Sequence, residues 1–526
     1  MFNNIFNKIF LDSKFCLISL FITSFIISLL FSINIDQRAL NAALIISNKI
    51  NYSNELNVLN LDYHNSWTII FQILRISIEL GVNIKFLSFF ILFTSILLNA
   101  FGIYLVSKSI SQNNFFSIIT PTIILAFQIS FGNLDYPTVI ISEHTNGMMG
   151  SAIVVFIFGL IASQKLGYAI ILAILSLSIH LLIGLWLIFI IFLSIIFFNK
   201  IEFKYYFNSK RKIIFLILSL TIVLLSFIFF QLNKIDIPFL YDENLYKLYL
   251  EVWEHHRSKI FNINYVYIVF SLILLLFLIL IKKENKNLEF FSKIVILHLI
   301  ISFTIYIIYK IFPDLFQGVF LRIMPSRFFL LHSVLGPAII FSVAYYYLEK
   351  FFKRNNLIIY LLILLLIHPT IYFEKYLKKF NFFYDNWNIS NYSDNEFWNK
   401  VKKDDISDRV ILTSINACSK TIQRSQKPIL ICIESIDVIP YIPNLIIPIK
   451  EIIENIYQID FKNPPEKNHG GLWYDNSYKT IFENRSFKEW YSISHKYNLG
   501  ALILPKDWNI NLDKKIVGKD YIYYKF

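Results

Sequence analysis

Two carboxylates and two guanidinium groups stand in this chain where a reaction at a membrane surface could use them. Asp36 follows the first apolar run, and Glu143 lies in the polar island Ser142-Glu143-His144-Thr145-Asn146-Gly147 between two later runs. A carboxylate so placed can take a proton from an attacking hydroxyl or amide, bind a metal ion or contact an acceptor. Helix capping is an equally adequate role for Asp36, and a solvated turn for Glu143. Arg322 and Arg327 flank Pro325 just before another apolar run. Their N–H donors suit a phosphate or pyrophosphate, and snorkelling to lipid headgroups suits them as well.

The remaining polar candidates are Asp62 and His64 near the first loop's tryptophan, His144 beside Glu143, and His180 inside the long apolar stretch Tyr168 to Phe198. His180 either lines an outward cavity or faces a helix interface. Trp473, in a loop with Gly470, Gly471 and Tyr474, can stack on a sugar ring or serve as a packing anchor. His255 and His256 are adjacent, so on a helix they point about 100° apart and do not form an i, i+4 metal pair. No Walker A loop, no GxGxxG after a strand and no CxxC occurs, which leaves ATP-driven and nicotinamide chemistry without support.

These residues sit between elements that composition identifies. With 56% hydrophobic, 17% aromatic and 16% charged residues, the chain reads as a polytopic helical membrane protein. Charge-free runs such as Ile213 to Phe230 are long enough for ~30 Å of hydrocarbon at ~1.5 Å per residue. The pattern gives about eleven spans: Phe15 to Ile33, Phe86 to Val106, Phe115 to Ile129, Met148 to Ala162, two short spans turning near His180, Ile213 to Phe230, Tyr265 to Ile281, Ile294 to Ile311, Phe328 to Tyr347 and Leu357 to Phe373. The first is read as retained, because no small-residue cleavage site follows it.

Alternate gaps between the runs then differ in charge. Those around Lys108 and Lys165, Lys200 to Lys212, Lys282 to Lys293 and Glu349 to Arg354 are short and net basic, as cytoplasmic turns are. All the long segments fall on the other side, together with every candidate named above. The net charge of +13 is largely spread over loops that would meet anionic headgroups, so membrane orientation explains it better than nucleic acid does. In the first outer segment, Thr68, Gln72, Arg75 and Glu79 make one polar stripe on a greasy helix, which places it at the membrane surface or flat on other helices. Asp36 to Ile50 can form a second such helix.

Residues 1–373 are therefore read as a transmembrane domain with a long first outer loop, 34–85, and residues 374–526 as an extracytoplasmic α/β domain. Val410 to Ser414, Ile429 to Glu434, Ala501 to Leu504 and Tyr521 to Tyr524 read as strands, and Ile449 to Ile459 and Phe487 to Tyr497 as helices. Their alternation suggests a parallel sheet. Ser486 and Glu489 have capping-box spacing, and Gly500 lies near that helix's end. With Cys16 in the first apolar run, Cys418 and Cys432 are left as one candidate disulfide.

An acidic residue after the first span (Asp36), a long first outer loop with two surface helices, an acidic second loop (Glu143), basic inner turns and an outward carboxyl-terminal domain together resemble the GT-C-type membrane glycosyltransferases. The resemblance covers the whole chain in architecture and rests on few residues. It implies transfer of a sugar from a polyprenyl-phosphate carrier to a glycan, lipid or protein acceptor on the outer face of a bacterial inner membrane; the basic inner turns place the amino terminus in the cytoplasm. It also implies Asp36 as base, and allows a divalent metal shared by Asp36 and Glu143. A transporter or flippase, or a polysaccharide polymerase, would act on the same lipid-linked sugars. Transporters usually show related halves and charged helices near the midplane, whereas these spans carry almost no charge.

Overall fold

The structure, a computed structural model, describes residues 13–32, 35, 37–129, 140–198, 207, 209–253, 265–312, 331–352, 395–414, 417–432, 435–436, 438–464 and 476–526. Asp36, Asp135, His255, His256, Arg322, Arg327, the Trp473 loop and the run Leu357 to Phe373 lie outside the described residues.

Helices occupy the apolar runs: α1 (Ser13–Ser32), then α2 (Arg38–Ile46), α3 (Val58–His64) and α4 (Ile69–Glu79) in the first loop, followed by α5 (Ile84–Ser111), α6 (Asn114–Ala126), α7 (Thr145–Ala162), α8 (Leu166–Ile179), α9 (Leu181–Phe198), α10 (Lys210–Asn233), α11 (Glu243–Val252), α12 (Tyr265–Glu284), α13 (Glu289–Ile311) and α14 (Leu331–Phe351). Among the described residues six helices are long and apolar enough to cross a bilayer: Lys14–Ser32, α5, α7, α9, α10 and Lys286–Ile311; α6 and α8 are shorter apolar helices. Side-chain oxygens of Asn83, Asn113 and Ser209 accept from backbone N–H groups at the starts of α5, α6 and α10.

The bundle is built around α5, which packs on α1, α6, α7 and α14. Its closest approach is to α7, where Gly102 and Gly159 oppose each other. A Cβ on Gly102 would lie 2.5 Å from the Val155 carbonyl oxygen, so only a glycine permits this separation. At the rim, α10 turns Ile213, Leu220, Leu224 and Phe227 outward and buries only Ser219 and Ser226. A face of that size belongs in lipid.

The carboxyl-terminal module carries α15 (Asn395–Lys403), α16 (Cys418–Ser425), α17 (Ile446–Ile456), α18 (Asn476–Asn484) and α19 (Phe487–Lys496) around a sheet of β1 (Val410–Thr413), β2 (Leu499–Pro505), β3 (Lys514–Val517) and β4 (Tyr521–Lys525). The strand order is β1-β2-β4-β3, with β1 parallel to β2 and the other two pairings antiparallel. This corrects the expected parallel sheet. Ile429 makes only an isolated bridge to Ile411, and Gly500 lies within β2 rather than at a helix end. Strand alternation splits the core: Ala501, Ile503 and Tyr523 pack with Phe397, Trp398 and Val401 of α15, while Leu502, Leu504 and Tyr524 join the larger core on the opposite face. The capping box of Ser486 and Glu489 is formed at the start of α19, and Cys418 is disulfide-bonded to Cys432, their Cα atoms 5.7 Å apart.

Candidate functional site

The amino terminus of α2 is capped by another loop. Its N-cap residue, Gln37, makes no side-chain cap bond, although the first turn of any helix leaves donors without intrahelical partners. Here the 142–145 segment supplies them. Arg38 N donates to the Glu143 carbonyl at 3.0 Å, and Ala39 N to Thr145 Oγ1 at 3.2 Å. The Gln37 side chain completes the seam, donating to Ser142 O at 2.9 Å and accepting from the Thr145 hydroxyl at 2.9 Å. Gln37 and Thr145 are buried.

This seam aligns two charges. Arg38 Nη2 lies 2.6 Å from Glu143 Oε1, with the arginine side chain 15% exposed and the glutamate 47%. The guanidinium is mostly withdrawn from water while the carboxylate still faces it, so the pair offers a proton acceptor beside a cation. Glu143 is thus the nominated catalytic residue that the structure places in a charged site. Arg38 was not nominated. A signal for it was present: a cation in the first turn of a helix opposes the macrodipole and calls for an anionic partner.

The other nominated residues go elsewhere. His144 is the N-cap of α7, exposed, and its backbone N–H donates to Ser142 Oγ at 3.0 Å. His180 is the break between α8 and α9, as the length of that stretch predicts. Its Nδ1 accepts from Ile183 N at 3.4 Å, while Trp67 Nε1 and Thr68 Oγ1 donate to Leu177 O and Ile179 O at the end of α8. The first loop therefore satisfies carbonyls freed by the interruption, which an apolar environment requires. Asp62 is buried and takes the Ser66 hydroxyl at 3.3 Å. His64 Nδ1 lies 3.1 Å from Asn233 O, and Arg75 joins Asn233 Oδ1 to Glu79. Burial lowers the His64 pKa against the opposing pull of the Asn233 carbonyl, favouring neutral imidazole. His64 and Arg75 thus join α3 and α4 to the end of α10, while Thr68, from the same polar stripe, joins the start of α4 to the end of α8.

Next to the Arg38–Glu143 pair, the module bonds to the start of α2. Gln423 Nε2 donates to Gln37 O and to Asn41 Oδ1, each at 2.9 Å, and Asn41 Nδ2 donates to Ser419 Oγ at 2.9 Å. Further along the loop, the Tyr52 hydroxyl donates to Ile429 O and accepts from Ile429 N, while Asn57 donates to Leu430 O. From the segment after α10, Tyr246, Tyr249 and Trp253 donate to Pro440 O, Ile436 O and Phe461 O. Segments that charge patterning assigns to one side thus meet there.

Among the described residues no group of three or more His, Cys, Asp or Glu is placed to hold a metal ion. Glu143 Oε1 is engaged by the Arg38 guanidinium, and Asp36, with which it would share the metal that the resemblance allows, lies outside the described residues. The fold is that of a polytopic helical membrane protein with a small mixed-sheet module docked on its loops. Neither a protein-family model nor a curated protein matches the chain.

Proposed function

We propose that the chain is a membrane glycosyltransferase that moves a sugar from a polyprenyl-phosphate carrier to an acceptor at the outer face of the membrane. The observation that carries this reading is the Arg38–Glu143 pair, assembled from two separate loops, the first of which is bonded to the module through Gln37. The acceptor oxygen or nitrogen attacks the anomeric carbon, a carboxylate takes its proton, and the bond to the carrier phosphate breaks. Asp36 or Glu143 serves as base; Arg322 and Arg327 neutralise the leaving phosphate, with Arg38 a further cation on this side. With the eleven spans expected from the sequence the module would lie outside the cytoplasm, a reading that the Cys418–Cys432 disulfide supports, because such bonds persist in oxidising compartments. The near absence of charge within the spans favours chemistry at one face over transport.

The test compares lipid-linked sugars and surface glycan in cells carrying the intact protein, Asp36→Asn, Glu143→Gln or no protein. Deletion should remove one sugar from the glycan, and at least one variant should do the same while still accumulating in the membrane. An unchanged glycan after deletion would refute the transferase reading.

A further inference from the structure

The seam between α2 and the module has a regular geometry. Gln37 and Asn41 are four residues apart, as are Ser419 and Gln423, so each pair lies on one face of its helix end. The amide of Gln423 gives both hydrogens to α2, one to the Gln37 carbonyl and one to the Asn41 side chain; Asn41 answers with a bond to Ser419. Gln37 and Asn41 are fully buried and Gln423 is 8% exposed, so water is a poor substitute for any of these partners. On its far side Gln37 holds Ser142 and Thr145, the residues flanking Glu143. The Cys418–Cys432 bond ties the start of α16 to the segment gripped by Tyr52 and Asn57.

We propose that Gln423 is a positioning residue for the Arg38–Glu143 pair: through Gln37 it sets the start of α2, and thereby the register of the second loop, so the module is a structural part of the site. The functional half of this proposal rests on the transferase reading. The positional half does not.

The experiment is amide hydrogen exchange on the full-length protein in detergent micelles, intact and as Gln423→Met, with the cellular glycan assay run on the same variants. In the intact protein the Arg38 and Ala39 amides, normally unprotected at a helix start, should exchange slowly. In Gln423→Met, exchange over 37–46 and 140–147 should quicken by about tenfold, the effect of losing ~1.4 kcal/mol of hydrogen bonding. Leu499–Pro505 should keep its protection, and the glycan yield should fall. If Gln423→Met loosens the whole module, Gln423→Leu decides instead, since it also removes both donors and, being shorter, adds no strain or charge to the seam. Unchanged protection at 37–46 and 140–147 would overturn the proposal. So would local loosening with a normal glycan in cells where deletion removes the sugar. If deletion leaves the glycan intact, the transferase reading fails and exchange alone judges the positional claim.

Discussion

Replacing Gly102 with alanine should separate the two helices that bring the first and second loops together. The added Cβ would lie 2.5 Å from Val155 O, 2.6 Å from Val155 C and 2.7 Å from Phe156 N, all main-chain atoms that no rotamer change can move. Reaching an ordinary contact requires the α5–α7 crossing to open by roughly 0.5–0.9 Å, and a gap of that order forfeits about a quarter to a half of the dispersion energy of each affected contact. Overpacking of this kind costs about 1–3 kcal/mol. Because α7 begins at Thr145, two residues after Glu143, the opening should also disturb the Arg38–Glu143 pair. Gly147, in the same helix and with nothing within 4 Å of its would-be Cβ, is the internal control. The assay is thermal inactivation of the detergent-solubilised protein, followed by the loss of its monodisperse peak. Gly102→Ala should lower the midpoint clearly while Gly147→Ala leaves it unchanged or raises it. Equal midpoints for the two variants would refute the packing argument.

Two further outcomes follow from the module. Denatured without reductant, the chain should expose a single alkylatable thiol, that of Cys16, and three after reduction; three before reduction would exclude the disulfide. Asp404 accepts from Tyr523 and pairs with Lys515 and Lys525, each at 3.1 Å, joining the end of α15 to β3 and β4. Burial works against its charge, but these partners outweigh it and hold its pKa below the usual carboxylate value. Their stabilisation is present above the unfolded pKa of about 3.9 and is lost as pH falls through the lower folded value. Asp404→Asn should therefore cost about 1 kcal/mol at neutral pH, a modest sum because the lysines are partly solvated, and nothing in strong acid. A stability gap that does not change with pH would contradict this account.

Charge-free runs and their basic gaps made the helices of the bundle legible in the sequence, because burial in lipid admits few other compositions. The interruption at His180 was legible from the length of its stretch together with the basic segment Lys200 to Lys212 that follows it, and the cap of α19 from Ser486 and Glu489. What stayed hidden depended on distant partners. Arg38 gains its meaning from a glutamate 105 residues away, and Gln37, Asn41 and Gln423 show no periodicity that separates them from surface amides. Strand β3 was missed because Lys514 and Lys515 are exposed and it carries little of the apolar alternation that marks a half-buried strand. The parallel sheet was expected from alternation of elements, which does not constrain a hairpin at the end of the module.

Away from the Gln423 seam, five of the bonds that seat the module have a lopsided chemistry. From the membrane side come side chains, Tyr52, Asn57, Tyr246, Tyr249 and Trp253; from the module come main-chain carbonyls of Ile429, Leu430, Pro440, Ile436 and Phe461. A carbonyl survives almost any substitution at its own residue. Selection on these five contacts should accordingly fall on the donors, while the acceptor positions are free to drift as long as the backbone keeps its path. Across species, the module could change its side chains at these acceptor positions and still be held there by the same five donors.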